Sequence, residues 1–143
     1  MNKLIAKLIL AGAALALSAC SSMPDWMPGS GALKVNLSGA EEVPPLNVPG
    51  SGSGSFRVAD DGTITGSVTT KDVQGLMAHI HRGAKGANGP VIVPLDKKGD
   101  TYSVPAGRKL TPEQIADLKA GRLYVNVHTE RNKGGEVRGQ LQP

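Results

Sequence analysis

The constraint that bears hardest on this chain is its punctuation. From Ala32 onward, short alternating apolar runs are interrupted by turn signals. These are Asp60-Asp61-Gly62, the glycines at 83, 86 and 89, Lys97-Lys98-Gly99-Asp100, and Asn132-Lys133-Gly134-Gly135. Asp-Gly steps tolerate positive φ and so connect antiparallel strands. Between the turns, Leu33, Val35 and Leu37 alternate with polar neighbours, as do Phe56 and Val58, and then Ile64 within the Thr-rich stretch 63–70. Side chains of a strand point alternately to its two faces, so such runs predict half-buried strands. Strands are expected near 32–37, 50–58, 63–70, 76–82, 90–95, 101–104, 122–128 and 136–141. Ser38–Pro49 holds three prolines and a glycine, which rule out a central strand there.

One segment has the helical signature instead. In Leu110-Thr111-Pro112-Glu113-Gln114-Ile115, Thr111 reads as N-cap, Pro112 as the first helical residue and Gln114 as the partner in a capping box. Leu110 and Ile115 are spaced as a hydrophobic staple, Ile115 and Leu118 form the buried stripe, and Gly121 ends the element. About eight short strands and one short inserted helix predict an all-β fold, an antiparallel β-sandwich or barrel. With one Phe, one Trp and two Tyr, its core has to be mainly aliphatic.

The N-terminal part reads differently. Lys3 and Lys7 precede the apolar run Leu8–Leu17, and Leu17-Ser18-Ala19-Cys20 follows. This is the layout of a bacterial secretory signal peptide whose cleavage site is a lipobox. The run is too short for a membrane span. The expected organisation is a lipoprotein signal peptide at 1–19, a flexible tether at 20–31 and one β domain at 32–141. Cys20 is the only cysteine, so no intrachain disulfide forms. As the first mature residue it would carry a diacylglyceryl thioether and an N-acyl chain such as palmitate. Ser21 and Ser22 follow in place of the Asp that favours inner-membrane retention, so the expected location is the periplasmic side of the outer membrane. Loss of Lys3 and Lys7 with the leader lowers the formal charge from +4 to +2. The remaining basic residues are scattered without aromatic interleaving, which argues against nucleic acid as a partner.

Chemistry concentrates in Leu76–Pro94, LMAHIHRGAKGANGPVIVP. Alternation sets Leu76, Ala78 and Ile80 on one face and Met77, His79 and His81 on the other. In Leu123–His128 the same rule sets Leu123, Val125 and Val127 toward the core and Tyr124, Asn126 and His128 on the polar face. If the two strands meet, three imidazoles converge, with the Met77 thioether on the same face. Imidazoles suit copper or zinc, and a thioether favours Cu(I). The candidate metal ligands are therefore His79, His81, His128 and Met77, with copper first and zinc as the alternative. Glu41, Glu42 or Glu136 would orient the histidines. A solvated loop is the default for Glu41 and Glu42, and a Glu136–Arg138 ion pair bracing the last strand competes with any chemical role. Histidines that merely fasten loops are the competing explanation of the cluster.

The chain resembles the CHRD family, a domain first described in chordin and widespread in bacterial secreted proteins. The resemblance rests on Gly39-Ala40 with Glu42-Val43-Pro44-Pro45, on Ala78-His79-Ile80-His81-x-Gly83, and on Gly86-x-x-Gly89-Pro90-Val91. It continues in Gly121-x-Leu123-Tyr124-Val125-Asn126-Val127-His128-Thr129 and Gly134-Gly135-Glu136-Val137-Arg138-Gly139-Gln140. It implies a Greek-key β-sandwich and brings no established enzymatic activity. A fainter likeness, to copper-zinc superoxide dismutase, matches His79 and His81 to a His-x-His pair at the copper. Three histidines do not supply that protein's bridged two-metal site, and one cysteine does not supply its disulfide. What that likeness leaves is a mononuclear copper site. The functional expectation is an outer-membrane lipoprotein that binds a single copper ion for buffering or delivery, with an envelope protein or metallochaperone as partner. The alternative is a non-catalytic adhesion or interaction module of the cell envelope. No Ser–His–acid signature supports catalysis.

Overall fold

The computed structural model describes residues 31–142. The expected leader, Cys20 and nearly all of the expected tether lie outside the described residues. Eight strands close into an antiparallel barrel: β1 (Leu33–Ser38), β2 (Ser51–Val58), β3 (Ile64–Lys71), β4 (Gly75–Arg82), β5 (Val91–Lys98), β6 (Thr101–Ser103), β7 (Leu123–Thr129) and β8 (Val137–Leu141). Among the described residues one α-helix, α1 (Pro112–Lys119), precedes β7, and one short 3-10 turn, Gly39–Glu41, follows β1. Around the barrel the order is β1-β2-β3-β6-β5-β4-β7-β8, and β1 meets β8 to close it. The run β3-β6-β5-β4 is a Greek key: β4, β5 and β6 follow one another as neighbours, and β6 lies beside β3. The expected all-β architecture with one inserted helix is present.

Alternation explains the interior. Leu33, Val35 and Leu37 of β1, Phe56 and Val58 of β2, Ala78 and Ile80 of β4, and Leu123, Val125 and Val127 of β7 all point inward and are buried. Leu76 departs from this pattern. It was expected on the core face with Ala78 and Ile80, yet it is 52% exposed. The pairing of β4 with β7 shifts register between Gly75 and Met77, and a bulge there breaks the two-residue period.

The helix is built as its sequence predicts. The Thr111 side chain accepts from Gln114 N at 3.2 Å, and the Gln114 side chain accepts from Thr111 N at 3.0 Å. Gly121, at φ +67, terminates it. What anchors α1 was not evident from its apolar stripe. The Asp117 side chain, 2% exposed, accepts from Arg122 Nε at 3.0 Å and Nη2 at 2.8 Å. Its other oxygen lies 2.6 Å from Arg82 Nε. One carboxylate thus clamps the helix to the end of β4 and the start of β7. Both arginines are half exposed and re-solvate readily, so the effect of breaking the clamp is moderate. Asp117→Asn is expected to cost about 1–3 kcal/mol of stability in a denaturant titration. An unchanged midpoint would show that the clamp contributes nothing.

The outer face of the β4-β7-β8 sector is covered. The β1–β2 connection folds back over it, with Asn88 Nδ2 donating to Val43 O at 3.0 Å and Lys85 Nζ pairing with Glu41 at 3.1 Å. The Gly-rich β4–β5 loop lies alongside. This sector therefore carries a second, polar buried layer outside the barrel wall. Its burial is why Leu123 through Val127 are buried without a break.

Candidate metal centre

Cross-strand register assembles the layer. Met77 stands opposite His128, His79 opposite Asn126, and His81 opposite Tyr124, while Asn126 pairs onward with Arg138 and Tyr124 with Gln140. Residues opposite one another in an antiparallel pair share a face. The polar faces predicted for the two strands are thus one surface, and all three histidines lie on it.

The rings are close. His79 and His128 have centroids 4.9 Å apart, His79 and His81 5.5 Å, and His81 and His128 5.8 Å. One nitrogen from each ring lies within 4.8 Å of the others, so the group could hold a metal ion. Nitrogens bound at about 2.0–2.1 Å are at most about 4 Å apart, so modest ring rotations would close the set.

Hydrogen bonds decide which nitrogens are available. His81 Nδ1 donates to Gly89 O at 2.9 Å and His128 Nδ1 to Lys133 O at 2.8 Å, because a carbonyl can only accept. In the neutral imidazoles this leaves both Nε2 atoms as lone-pair acceptors. That of His128 accepts from His79 Nδ1 at 3.1 Å. That of His81 is buried and has no partner among the described residues. Ligating histidines characteristically donate their other nitrogen to a carbonyl or carboxylate in this way.

The orienting groups are not the expected ones. None of Glu41, Glu42 and Glu136 hydrogen-bonds a histidine among the described residues. Glu41 pairs with Lys85, Glu136 accepts from Thr129 Oγ1 at 2.6 Å and Asn132 Nδ2 at 3.0 Å, and Glu42 accepts from Asn126 Nδ2 at 3.2 Å. Backbone carbonyls do the orienting, and they leave no mark in side-chain identity. No Glu136–Arg138 ion pair forms among the described residues either. Glu42, expected in a solvated loop, is buried at 5% exposure. Met77 is 50% exposed at the rim of the face.

Behind His81 stands a column in which Tyr124, on the polar face expected to order the site, is joined by Arg138, whose part in it the sequence did not mark. The Tyr124 ring stacks on His81 at 4.9 Å and 9°, and the Arg138 guanidinium carbon lies 3.5 Å from the Tyr124 centroid. Gly89 holds the column together: its N–H donates to Tyr124 Oη at 3.0 Å while its carbonyl takes the His81 proton. The only sequence signal was indirect, in that Tyr124, Asn126 and Arg138 fall on the alternate positions shared with the histidines.

Burial acts on the titrating groups with opposite consequences. His79 is pushed down to about 4, by burial first and then by the charges of His128 and His81. Burial also lowers His81, against the opposing hydrogen bond to Gly89. Glu42 is pushed up to about 7 by burial, which outweighs its hydrogen bond from Asn126 and the charge of Arg138. His79 remains neutral when folded, whereas unfolded imidazole protonates near 6.5. Its contribution to stability is therefore complete above 6.5 and is lost as pH falls toward about 4. Glu42 keeps its proton up to about 7 when folded but releases it near 4.5 when unfolded. Its contribution is complete below 4.5 and is lost as pH rises toward 7. Glu42→Gln removes only the second effect. Melting temperatures measured from pH 7 to 4.5 should fall more steeply in that variant than in the parent. Parallel curves would rule out a raised Glu42.

An all-β barrel with a three-imidazole face under its loops is the class that fold and geometry define. A family model described as the CHRD domain matches residues 33–141, and the chain belongs to that family. No curated protein and no solved structure matches it.

Proposed function

We propose that this chain is a metal-binding lipoprotein of the cell envelope that takes up one copper ion through His79, His81 and His128. The observation that carries the reading is the His81 Nε2 lone pair. It is buried without a donor among the described residues, on a ring whose other nitrogen is pinned by a carbonyl, facing two more imidazoles. A buried acceptor left unmade costs about 1–3 kcal/mol, a cost that a metal ion would remove. Copper is favoured over zinc by the donor set: three nitrogens with the Met77 thioether at the rim, and no carboxylate or thiolate in the group. Met77 is the proposed fourth ligand, reached by a rotamer change from its exposed position opposite His128.

CHRD membership supports an extracellular or periplasmic setting. Lipidation of Cys20 would then hold the domain at the periplasmic side of the outer membrane, with buffering or delivery of copper as its role. A metallochaperone or other envelope protein would be its exchange partner. Copper and zinc titrations of the untagged protein, beside a His79→Ala, His81→Ala variant, test the reading. One tightly held equivalent of copper supports it, and binding no stronger than the variant's background ends it.

A further inference from the structure

Arg138 is 1% exposed, yet among the described residues it takes part in no ion pair. All four oxygens it donates to are formally uncharged: Ala87 O at 2.9 Å, Ala84 O at 3.0 Å, Asn88 Oδ1 at 3.3 Å and Gln140 Oε1 at 3.4 Å. The rigid fork of a guanidinium can span such a set, which a lysine ammonium matches poorly. Removing a charge from water without a counter-charge is expensive. Here the charge lies flat on Tyr124, which in turn lies flat on His81.

Resting on the copper reading above, we propose that Arg138, acting through Tyr124 at the back of His81, makes the three-histidine site selective for Cu(I) over Cu(II). The reason is electrostatic. Cu(II) carries one more positive charge than Cu(I), so a fixed cation on the ligand's rear face opposes it more. At about 10 Å and an effective dielectric near 20, one unit charge changes the ratio of the two affinities by about tenfold or somewhat more. The cation also draws electron density of the tyrosine ring toward itself, on the side away from the imidazole. The Arg138 guanidinium and the His81 ring lie on opposite faces of Tyr124, 3.5 Å and 4.9 Å from its centroid, so the charge sits directly behind the ligand ring. Glu42 accepts from Asn126 and pairs with no part of Arg138, leaving the guanidinium without a contacting counterion among the described residues.

The test is competition titration of the full chain with Cu(I)- and Cu(II)-selective chelators, comparing the affinity ratio across variants. Arg138→Met removes the charge, Arg138→Lys keeps it, and Asn88→Asp sets a carboxylate against it at an exposed position. Arg138→Met and Asn88→Asp should each move the ratio about tenfold toward Cu(II), a fall of about 59 mV in the one-electron potential. Arg138→Lys should retain the parent's ratio. Equal weakening of both oxidation states, with the ratio unmoved in Asn88→Asp, would overturn the proposal and leave the copper site standing. A parent that binds neither ion would overturn the site, and the selectivity with it. Should Arg138→Met fail to fold, Asn88→Asp decides alone.

Discussion

Replacing His79 and His81 together by alanine is expected to abolish stoichiometric copper binding while the barrel stays folded. The two halves of that statement rest on different layers of the molecule. The inner core is made by residues such as Phe56, Ile80, Val125 and Leu141, none of which depends on an imidazole. The histidines lie on the outer face of β4 and β7, where His79 and His128 are only half buried. Truncating two of them leaves one nitrogen donor, too few to hold a metal against solvent. Thermal unfolding gives a second readout. A ligand that binds only the folded state adds about 4 kcal/mol when present at a thousand times its Kd. Copper should therefore raise the parent's melting temperature and leave the variant's unmoved. A variant that still retains one equivalent of copper after gel filtration would place the site elsewhere.

The second large effect is expected at Gly89. A Cβ built there would lie inside the Arg82 carbonyl oxygen, with Gly83 Cα also within contact. The obstacle is backbone, so no side-chain rotation relieves it. The loop must move, and it is anchored by Arg82 N donating to Pro90 O at 2.9 Å. Moving it withdraws both groups that Gly89 contributes: the N–H on Tyr124 Oη and the carbonyl on His81 Nδ1. Gly89→Ala should thus cost about 2–4 kcal/mol of stability. It should also lower copper affinity by about 10- to 100-fold, the usual range for loss of a group that orients a ligating histidine. Gly86 in the same loop is the control. Its φ is +80 but none of the described residues lies within 4 Å of a Cβ there, so Gly86→Ala should cost about 1–2 kcal/mol from the left-handed backbone alone and leave copper binding intact. Denaturant melts paired with copper titrations distinguish the two. Equal behaviour of the variants would remove Gly89 from the account of the site.

These two positions illustrate what could be read before the structure and what could not. His79, His81 and His128 were legible because strand alternation is a local rule, and it set them on one face of their strands. Gly89 was legible only as a turn. Its role as acceptor for His81 depends on backbone atoms, which every residue type supplies alike. Leu76 misled for a related reason: a bulge arises from the pairing of two strands, and neither strand's own period records it.

The helix was determined locally down to its cap, since Thr111, Pro112 and Gln114 act on one another within a single turn. The eight strands and their inward faces were determined by apolar alternation, which reflects nearest neighbours along the chain. The fate of the other face was decided by tertiary structure. The Glu42–Asn126 hydrogen bond joins residues 84 positions apart, and Arg138 reaches carbonyls more than 50 positions away. Whether a polar face meets water or is roofed by loops is settled by what packs on it from elsewhere. Burial, ring stacking and shifted pKa values all follow from that roof, so the outlines of the histidine cluster belonged to the sequence and its electrostatic setting belonged to the fold.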